Sequence, residues 1–295
     1  MLDRTGISEH GMAGRGMAGR GMDGRGMDGH AMDGQIVVAG VDKVFTSTDR
    51  EVVALKGIDL TIPRGQFVCL LGPSGCGKST LLNAMAGFQL PTQGRISVSG
   101  REVKMPGPER GMVFQEYALF PWMTVGDNVA FGLELKRLPR RDIETRVDAL
   151  LKTLGLSDFK GRYPKDLSGG MRQRVAIARV LAIDSPILLM DEPFGALDAL
   201  TRRTLQDELI RIWAEFQKTI VFVTHSIEEA IYLADRIVVM TFRPGTIKRD
   251  ITVDLSRPRD TSAPEFNALK RELTTLVMEE QARFSAAELA SAAID

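Results

Sequence analysis

Nine residues from position 72 to 80 read GPSGCGKST, directly after a short apolar run at residues 67–71 that predicts a buried strand. They fit the pattern G-x-x-x-x-G-K-[ST], in which glycines let successive backbone N–H groups turn inward around an anion. Apolar residues with helical spacing follow, so the positive end of a helix dipole is expected to point to the same place. We therefore predict a phosphate-binding loop whose geometry depends on Gly72, Gly75 and Gly77.

The polar side chains of this loop predict bound Mg-ATP or Mg-GTP. Lys78 is expected to reach the β- and γ-phosphates, Ser79 to give its hydroxyl to Mg²⁺, and Thr80 to add a hydroxyl and an amide near the phosphates. The positive potential of the loop is expected to favour the thiolate of Cys76, and with it reaction with thiol reagents. The candidate nucleotide-binding residues of the loop are Gly72, Pro73, Ser74, Gly75, Cys76, Gly77, Lys78, Ser79 and Thr80.

The charge balance of the chain argues against broad electrostatic binding. Its 295 residues contain 38 Lys and Arg against 38 Asp and Glu, so no basic field is available to hold nucleic acid or an anionic membrane. No apolar run approaches the roughly 18 residues needed to span a bilayer, so another chain must cross any membrane involved. Cys69 in an apolar strand and Cys76 in the loop are poor candidates for a disulfide and suit a reducing cytoplasm.

Residues 1–35 are predicted to be a disordered tail. From residue 11 they contain five glycine-rich pentapeptides, GMAGR, GMAGR, GMDGR, GMDGH and AMDGQ, which cannot bury a core. The repeated methionines, with His10 and His30, leave a site for a soft ion such as Cu(I) as an alternative. Met32 is a plausible alternative initiator.

The pattern changes at Ile36 to short β-rich runs at residues 36–41, 52–55 and 58–62, which predict an antiparallel flap ahead of the phosphate loop. Phe45 lies at the end of the first run. An aromatic side chain there can stack on a nucleotide base, and packing in a core is the alternative for an isolated phenylalanine.

Polar residues follow several of the later predicted strands. Gln115 comes after the strand at 111–114, Asp191 and Glu192 after 187–190, and His225 after the strand that begins at 219. In open α/β sheets ligands bind at the carboxyl edge of the strands, so these side chains and the loop are expected to share one site. Asp191 is expected to hold the Mg²⁺ shell, Glu192 to orient and partly deprotonate a water, and His225 to contact the γ-phosphate or that water.

A second anion-binding helix start is predicted at residues 167–174, which read LSGGMRQR. Ser168 can cap a helix that runs to about residue 182, and Gly169 and Gly170 expose backbone N–H groups at its start. The phosphate loop already surrounds the phosphates of the ATP bound to its own chain. The simplest ligand for this second helix start is therefore ATP bound to another copy of the chain. The turn at 195–198, GALD, ends at Asp198 beside the acidic pair.

Two further segments lie between the phosphate loop and this second helix start. The apolar residues 117–125, YALFPWMTV, are either tucked into a core or form a docking surface. Residues 126–165 read as a helical insert, because its apolar positions recur with the spacing of an amphipathic helix. These positions are Ile143, Val147, Leu150, Leu151 and Leu154.

Several motifs occur in a fixed order along the chain: the phosphate loop, Gln115, LSGGMRQR, MDEP at 190–193, GALD and His225. By these motifs, residues 36–240 resemble the ATP-binding subunits of ABC transporters. The resemblance implies that Phe45 stacks on adenine, that Gln115 touches Mg²⁺ or the water and faces the membrane subunit, and that Glu192 is the catalytic base. It also implies that Ser168–Gly170 close over a partner's ATP and that His225 is the switch histidine. Met171 stands where many relatives have glutamine.

The implied fold is an α/β P-loop NTPase core, a mostly parallel sheet between helices, with an N-terminal antiparallel β flap and a helical subdomain at about 116–182. This ATPase domain is expected to span residues 36–260. Residues 261–295 are predicted to form a C-terminal amphipathic helix and tail, with its apolar stripe on Phe266, Leu269, Leu273 and Leu276.

The segments PERGMVFQ, PWMTVGDNV and FRPGTIKRDITVDLSRPRD are similar to the importer branch that serves nitrate, sulfonates, taurine or similar anions. The resemblance implies a second ATPase subunit, expected to be an identical copy that forms a homodimer, and polytopic permease subunits. It also implies an extracytoplasmic solute-binding protein as an indirect partner, and a place at the cytoplasmic face of the inner membrane. The alternatives are a subunit that serves export or another imported solute, a soluble ABC-type ATPase, and a nucleotide-binding regulator. A soluble ABC-type ATPase acting on DNA or ribosomes usually carries a long coiled coil or a duplicated module, and a regulator without turnover would not need Glu192 and His225.

Overall fold

The computed structural model describes residues 35–47, 51–195 and 197–292, with side chains as far as residue 285. The predicted disordered tail, its alternative metal site and the start at Met32 fall on residues 1–34, outside this range. The strands are β1 (Ile36–Thr46), β2 (Glu51–Ile62), β3 (Phe67–Leu71), β4 (Gln93–Val98), β5 (Arg101–Glu102), β6 (Arg110–Val113), β7 (Ile187–Asp191), β8 (Thr219–Thr224), β9 (Arg236–Met240) and β10 (Ile247–Thr252). The helices are α1 (Lys78–Ala86), α2 (Val125–Leu135), α3 (Arg140–Thr153), α4 (Gly169–Ala182), α5 (Ala199–Phe216), α6 (Ile227–Leu233) and α7 (Pro264–Ala292).

The strands form two sheets. The first is antiparallel with the order β2-β1-β4-β5, and the second has the order β10-β9-β3-β8-β7-β6. Strands β9, β3, β8, β7 and β6 are parallel, whereas β10 pairs with β9 in the antiparallel sense. The predicted α/β class, with a mostly parallel sheet and an antiparallel flap, is confirmed.

The parallel sheet is buried on both faces, as its continuous apolar strands predict. Along β3, Phe67, Cys69 and Leu71 belong to one hydrophobic cluster, and Val68 and Leu70 belong to a second. The first cluster includes apolar side chains of α2 to α7, and the second includes those of α1 and the flap. The carboxyl edge of the sheet, where the strands end, is therefore held from both sides.

The flap differs from the prediction in its number of strands. The runs at 52–55 and 58–62 are parts of the single strand β2, which continues through Lys56 and Gly57. Gly57 has a φ of 56°, a left-handed conformation that glycine adopts without a Cβ penalty, and the pairing with β1 shifts register nearby. The chain therefore bends at Gly57 without leaving the sheet.

Gln35, the last residue of the predicted tail, packs against the domain. Gln35 is buried, and its carbonyl accepts a hydrogen bond from the N–H of Ser99 at 2.8 Å. Its side chain also accepts a hydrogen bond from the hydroxyl of Thr219. These contacts come from distant parts of the chain, which explains why local composition does not reveal them.

The helices bury the predicted apolar faces. Ile143, Val147, Leu150 and Leu151 of α3 are buried, and in α7 Phe266 and Leu273 are buried while Leu269 and Leu276 pack against the core. Among the described residues, no helix is both long and apolar enough to cross a membrane.

Residues 117–125 combine the two alternatives left open above. Tyr117 and Leu119 pack against the core, whereas Trp122 is 71% exposed. The buried side chain of Asn128 donates to the carbonyls of Phe120, Met123 and Thr124 at 2.9–3.2 Å. The loop is thus anchored at its base and presents Trp122 to solvent.

Candidate nucleotide-binding site

The phosphate loop connects β3 to α1, as predicted. Gly75 and Gly77 have φ values of 78° and 99°, in the left-handed region that favours glycine. A Cβ on Gly77 would lie 2.7 Å from Cδ2 of Leu55, and a Cβ on Gly72 would lie 3.0 Å from the carbonyl of Met240. Both conformation and close packing therefore require glycine in this loop.

Lys78 is buried inside the loop that precedes it. Its Nζ donates hydrogen bonds to the carbonyls of Gly72 at 2.8 Å and Pro73 at 2.9 Å. The start of α1 carries no side-chain cap and no acidic residue in its first turn. The ammonium group and the uncapped N–H groups thus provide a concentrated positive potential that suits phosphate oxygens.

Ser79 joins the loop to the end of β7, because its hydroxyl donates to Oδ1 of Asp191 at 2.8 Å. Burial raises the pKa of Asp191, an effect that the Ser79 hydrogen bond opposes. A hydroxyl beside a carboxylate matches the oxygen ligands that Mg²⁺ prefers, so these residues fit the implied ion. Gln115, the third predicted ligand, lies exposed after β6 and makes no hydrogen bond to Ser79 or Asp191.

Glu192 and His225 meet at the carboxyl edge. Nδ1 of His225 lies 2.9 Å from Oε2 of Glu192, although 33 residues separate them in the chain. Glu192 has a φ of 41°, and its N–H donates to the carbonyl of Val223 at 3.1 Å. This unusual backbone conformation turns Glu192 away from Asp191 and aims it towards the end of β8.

Glu229 was not among the predicted site residues, but it holds Thr224, which precedes His225. Its buried carboxylate accepts from the hydroxyl of Thr224 and from Nε2 of Gln206 at 3.0 Å. The Thr224 hydroxyl in turn accepts from the N–H of Ser226 at 3.0 Å. Glu229 therefore fixes the backbone on both sides of His225. The S-x-x-E spacing of Ser226 and Glu229, typical of a helix start, is the sequence signal for this residue.

A cavity of about 270 Å³ runs from the flap to the phosphate loop. Phe45 is 40% exposed and lines it, which excludes the alternative of core packing for this ring. Its walls are Phe45, Val52, Ala54, Ser74, Gly75, Gly77, Lys78, Ser79, Thr80, Glu192 and Arg243. A larger cavity of about 830 Å³ along α2 and α3 contains none of the predicted site residues, so size alone does not mark the site.

The second helix start lies apart from this cavity. The hydroxyl of Ser168 caps α4 by accepting from the N–H of Met171 at 3.3 Å, and Ser168 is exposed. Gly170 is packed so closely that a Cβ would lie 2.6 Å from Cγ2 of Thr201, while Gly169 is partly exposed. None of these three residues lines the cavity of its own chain.

Asp198 also caps a helix. Its Oδ1 accepts from the N–H of Thr201 at 3.0 Å at the start of α5, and hydrogen bonding to Thr201 lowers the pKa of Asp198. This residue does not line the cavity either.

The expectation of a reactive Cys76 is wrong. Its side chain is buried, with Sγ 3.8 Å from Nζ of Lys78, and burial raises the pKa of the thiol although Lys78 opposes the shift. The loop folds with the Cys76 side chain against the domain, where desolvation of a thiolate outweighs the positive potential.

The architecture and the phosphate loop make this chain a P-loop NTPase. A family model described as ABC transporter matches residues 55–195. A nitrate import ATP-binding protein of Synechocystis sp. is 48% identical over 80% of this chain and 88% of its own length. An aliphatic sulfonates import ATP-binding protein of Bacillus licheniformis is 47% identical over 79% and 90%. A taurine import ATP-binding protein of Roseobacter denitrificans is 47% identical over 78% and 89%.

A solved structure of an ATP-binding cassette is also similar to this chain. A dimeric ATP-binding cassette in a post-hydrolysis state, bound to ADP and Pi, is 33% identical with a TM-score of 0.66. The match covers 74% of this chain and 98% of that one. The chain therefore belongs to the ABC transporter family, and it is an ATPase.

Proposed function

We propose that this chain is the ATP-hydrolysing subunit that powers import of a small anion, such as nitrate, a sulfonate or taurine, through separate transmembrane subunits. The observation that carries the proposal is its likeness, at 47–48% identity along most of both chains, to three ATP-binding proteins named for import of these solutes. An extracytoplasmic solute-binding protein would deliver the solute. The subunit would then work at the cytoplasmic face of the inner membrane.

In the proposed mechanism, Phe45 stacks on adenine and Lys78 binds the β- and γ-phosphates. Ser79 and Asp191, with Gln115 after a movement of its loop, would hold Mg²⁺, which offsets negative charge on the phosphates when bound. Glu192 orients the attacking water and takes up its proton, and the His225 contact at 2.9 Å holds the Glu192 carboxylate in place.

The site requires a second copy of the chain. The N-terminus of α4, with Ser168–Gly170, is a helix start suited to anions, but it does not line the cavity of its own chain. In the proposed dimer it closes over the ATP of the partner subunit, with Asp198 beside it. The dimeric neighbour of known structure supports this arrangement. Closure and opening of the dimer would move the membrane subunits between two states.

The role of Glu192 as the catalytic base is tested with Glu192→Gln, which keeps the size of the side chain but removes its carboxylate. We expect turnover to fall by roughly 10² or more while ATP still binds. Lys78→Ala should instead weaken binding itself. Nucleotide titration and steady-state phosphate release separate the two effects, and near-native turnover of Glu192→Gln would remove this residue from the base role.

The dimer is tested by light scattering of Glu192→Gln with saturating Mg-ATP, where we expect a twofold gain in mass. Ser168→Arg added to this variant should abolish the gain and leave ATP binding to each chain intact. Ser157→Arg is the matched control, because Ser157 is an exposed serine in a short 3₁₀ turn outside the start of α4. A Glu192→Gln chain that stays monomeric, also with its membrane partners, would contradict the model.

The exposed aromatic side chains of Phe88 and Trp122 are the proposed docking sites for the permease. Phe88, 50% exposed, packs its ring 5.8 Å from that of Phe114, and Trp122 projects from the loop anchored by Asn128. We expect Phe88→Asp with Trp122→Asp to abolish co-purification with a polytopic protein from detergent. Met278→Asp is the control, since Met278 is 65% exposed on α7. Unchanged co-purification would place the permease elsewhere.

A further inference from the structure

The turn between β9 and β10 lies directly on the phosphate loop. The N–H of Gly245 donates to the carbonyl of Ala54 at 2.9 Å, and the Gly245 carbonyl accepts from the N–H of Lys56 at 3.0 Å. A Cβ on Gly245 would lie 2.2 Å from the carbonyl of Cys76, so only glycine permits this approach. The turn is therefore seated between β2 and the loop that binds phosphate.

Arg243 extends from this turn into the nucleotide cavity. Its Nε lies 3.4 Å from the carbonyl of Gly75, and the side chain lines the cavity together with Phe45 and Lys78. By contrast, Arg236 at the start of β9 is ion-paired with Asp250. Within the described part of the chain, no carboxylate forms an ion pair with Arg243. Its guanidinium thus has N–H donors to offer, in a planar fork whose geometry suits phosphate oxygens.

Helix α7 holds the turn in place. The buried carboxylate of Glu280 accepts from the N–H of Phe242 at 3.0 Å and from Nζ of Lys248 at 2.7 Å. Although burial opposes ionisation, the hydrogen bonds from Lys248 and Phe242 leave the pKa of Glu280 below its usual value. The ring of Phe284 packs 4.4 Å from that of Phe242. A charged anchor and an aromatic contact therefore connect α7 to the residue next to Arg243.

We infer that Arg243 is an additional nucleotide-binding residue, which contacts the phosphates of ATP at the phosphate loop, and that Glu280 of α7 is its positioning residue. The inference rests on ATP binding at this loop but not on import or on any membrane partner. It gives the C-terminal helix a role in nucleotide affinity.

The direct test measures Mg-ATP and Mg-ADP binding to the full chain by calorimetry. Arg243→Ala should weaken both by about tenfold and reduce the salt dependence of Kd, and Arg243→Lys should recover part of the affinity. Arg249→Ala is the matched control, because Arg249 is exposed on β10 and its loss changes net charge equally. A Kd for Arg243→Ala within twofold of that of the original chain would overturn the inference.

The role of α7 is tested by a double-mutant cycle on Kd. Glu280→Gln should weaken ADP binding by about threefold in the original chain and have no further effect in Arg243→Ala. Thermal unfolding without nucleotide checks that each variant is folded. An equal loss in both backgrounds would show that α7 acts on the site by another route, and no loss in either would remove Glu280 from the positioning role.

Discussion

At the scale of single residues, the site places two neighbouring carboxylates in different surroundings. Asp191 ends β7 and accepts the hydroxyl of Ser79, whereas the positive φ of Glu192 directs its side chain to His225. Burial raises the pKa of Asp191. In the proposed mechanism, the carboxylate of Asp191 therefore receives the Mg²⁺ ion and that of Glu192 faces the attacking water.

Asp191→Asn is expected to stabilise the nucleotide-free chain at neutral pH. Because the folded-state pKa of Asp191 is raised, the folded state binds more protons than the unfolded state between the two pKa values, and the free energy of unfolding falls as pH rises through that interval. Asparagine removes this penalty. Thermal unfolding at several pH values should show a gain in Tm at pH 7 that disappears below the unfolded pKa of about 3.8.

Asp198→Asn is the comparison for this experiment. The lowered pKa of Asp198 means that its charge stabilises the folded state, with a contribution that is present above the unfolded pKa and is lost as pH falls through the folded one. Asp198→Asn should therefore give no gain in Tm at pH 7. A gain in both variants, or in neither, would contradict the assigned environment of Asp191.

Cys76 should react slowly in the folded chain. Its thiol is buried and its pKa is raised, so little thiolate is accessible at pH 7. Mass spectrometry after a maleimide pulse should find neither Cys69 nor Cys76 modified in the native protein and both modified in guanidinium chloride. Rapid native labelling that Cys76→Ser abolishes would show that the loop opens to expose this thiol.

At the scale of elements, one asparagine on α2 organises the loop that carries Trp122. Asn128 is fully buried and serves three carbonyls, while its Oδ1 accepts from the N–H of Phe120 at 2.9 Å. In α7, Asn267 repeats this arrangement with the carbonyls of residues 261–263 at 3.0–3.3 Å. Each asparagine connects a helix to the irregular segment that precedes it.

Asn128→Ala should loosen residues 118–124 and cost about 1–3 kcal/mol of unfolding free energy, because buried backbone groups lose their partner. Hydrogen exchange should increase in that segment, and urea denaturation gives the energy. Asn267→Ala is the matched control and should increase exchange at residues 261–263 instead. Unchanged exchange at 118–124 in Asn128→Ala would show that the aromatic contacts of Phe120 hold the loop without the amide.

At the scale of the whole molecule, the parallel sheet joins two hydrophobic clusters that lie on its opposite faces. Phe222 of β8 belongs to the first, with ring centroids 6.0 Å from Phe67 and 5.6 Å from Phe194. Leu189 of β7 belongs to the second. Since both clusters share the same strands, we expect them to unfold together.

Phe222→Ala should cost about 3–5 kcal/mol and Leu189→Ala about 2–5 kcal/mol of unfolding free energy, from lost burial and the cavity left behind. In guanidinium chloride, the fluorescence and far-ultraviolet circular dichroism transitions should coincide for both variants. Separate transitions in either variant would show that the two faces of the sheet unfold independently.

The sequence by itself determined the class of fold and the position of the phosphate loop. Apolar runs of strand length, each followed by glycines or polar residues, mark the parallel strands, because burial on both faces removes the alternation of an exposed strand. Loop geometry is equally local: the left-handed φ values of Gly75 and Gly77 follow from a pattern nine residues long. The amphipathic stripe of α3 was predictable for the same reason, since its period lies within one element.

Only the tertiary structure decided which groups meet. Ser79 contacts Asp191 across 112 residues, and Arg243 reaches Gly75 across 168. The joining of two predicted runs into β2, the burial of Gln35 and the support of His225 by Glu229 likewise depend on partners distant in the chain. Cys76 shows the physical reason most directly. The positive charge near Cys76 can be predicted from the residues next to it in the sequence. Its pKa, however, is dominated by desolvation, which depends on all the groups that pack around the thiol in the folded chain.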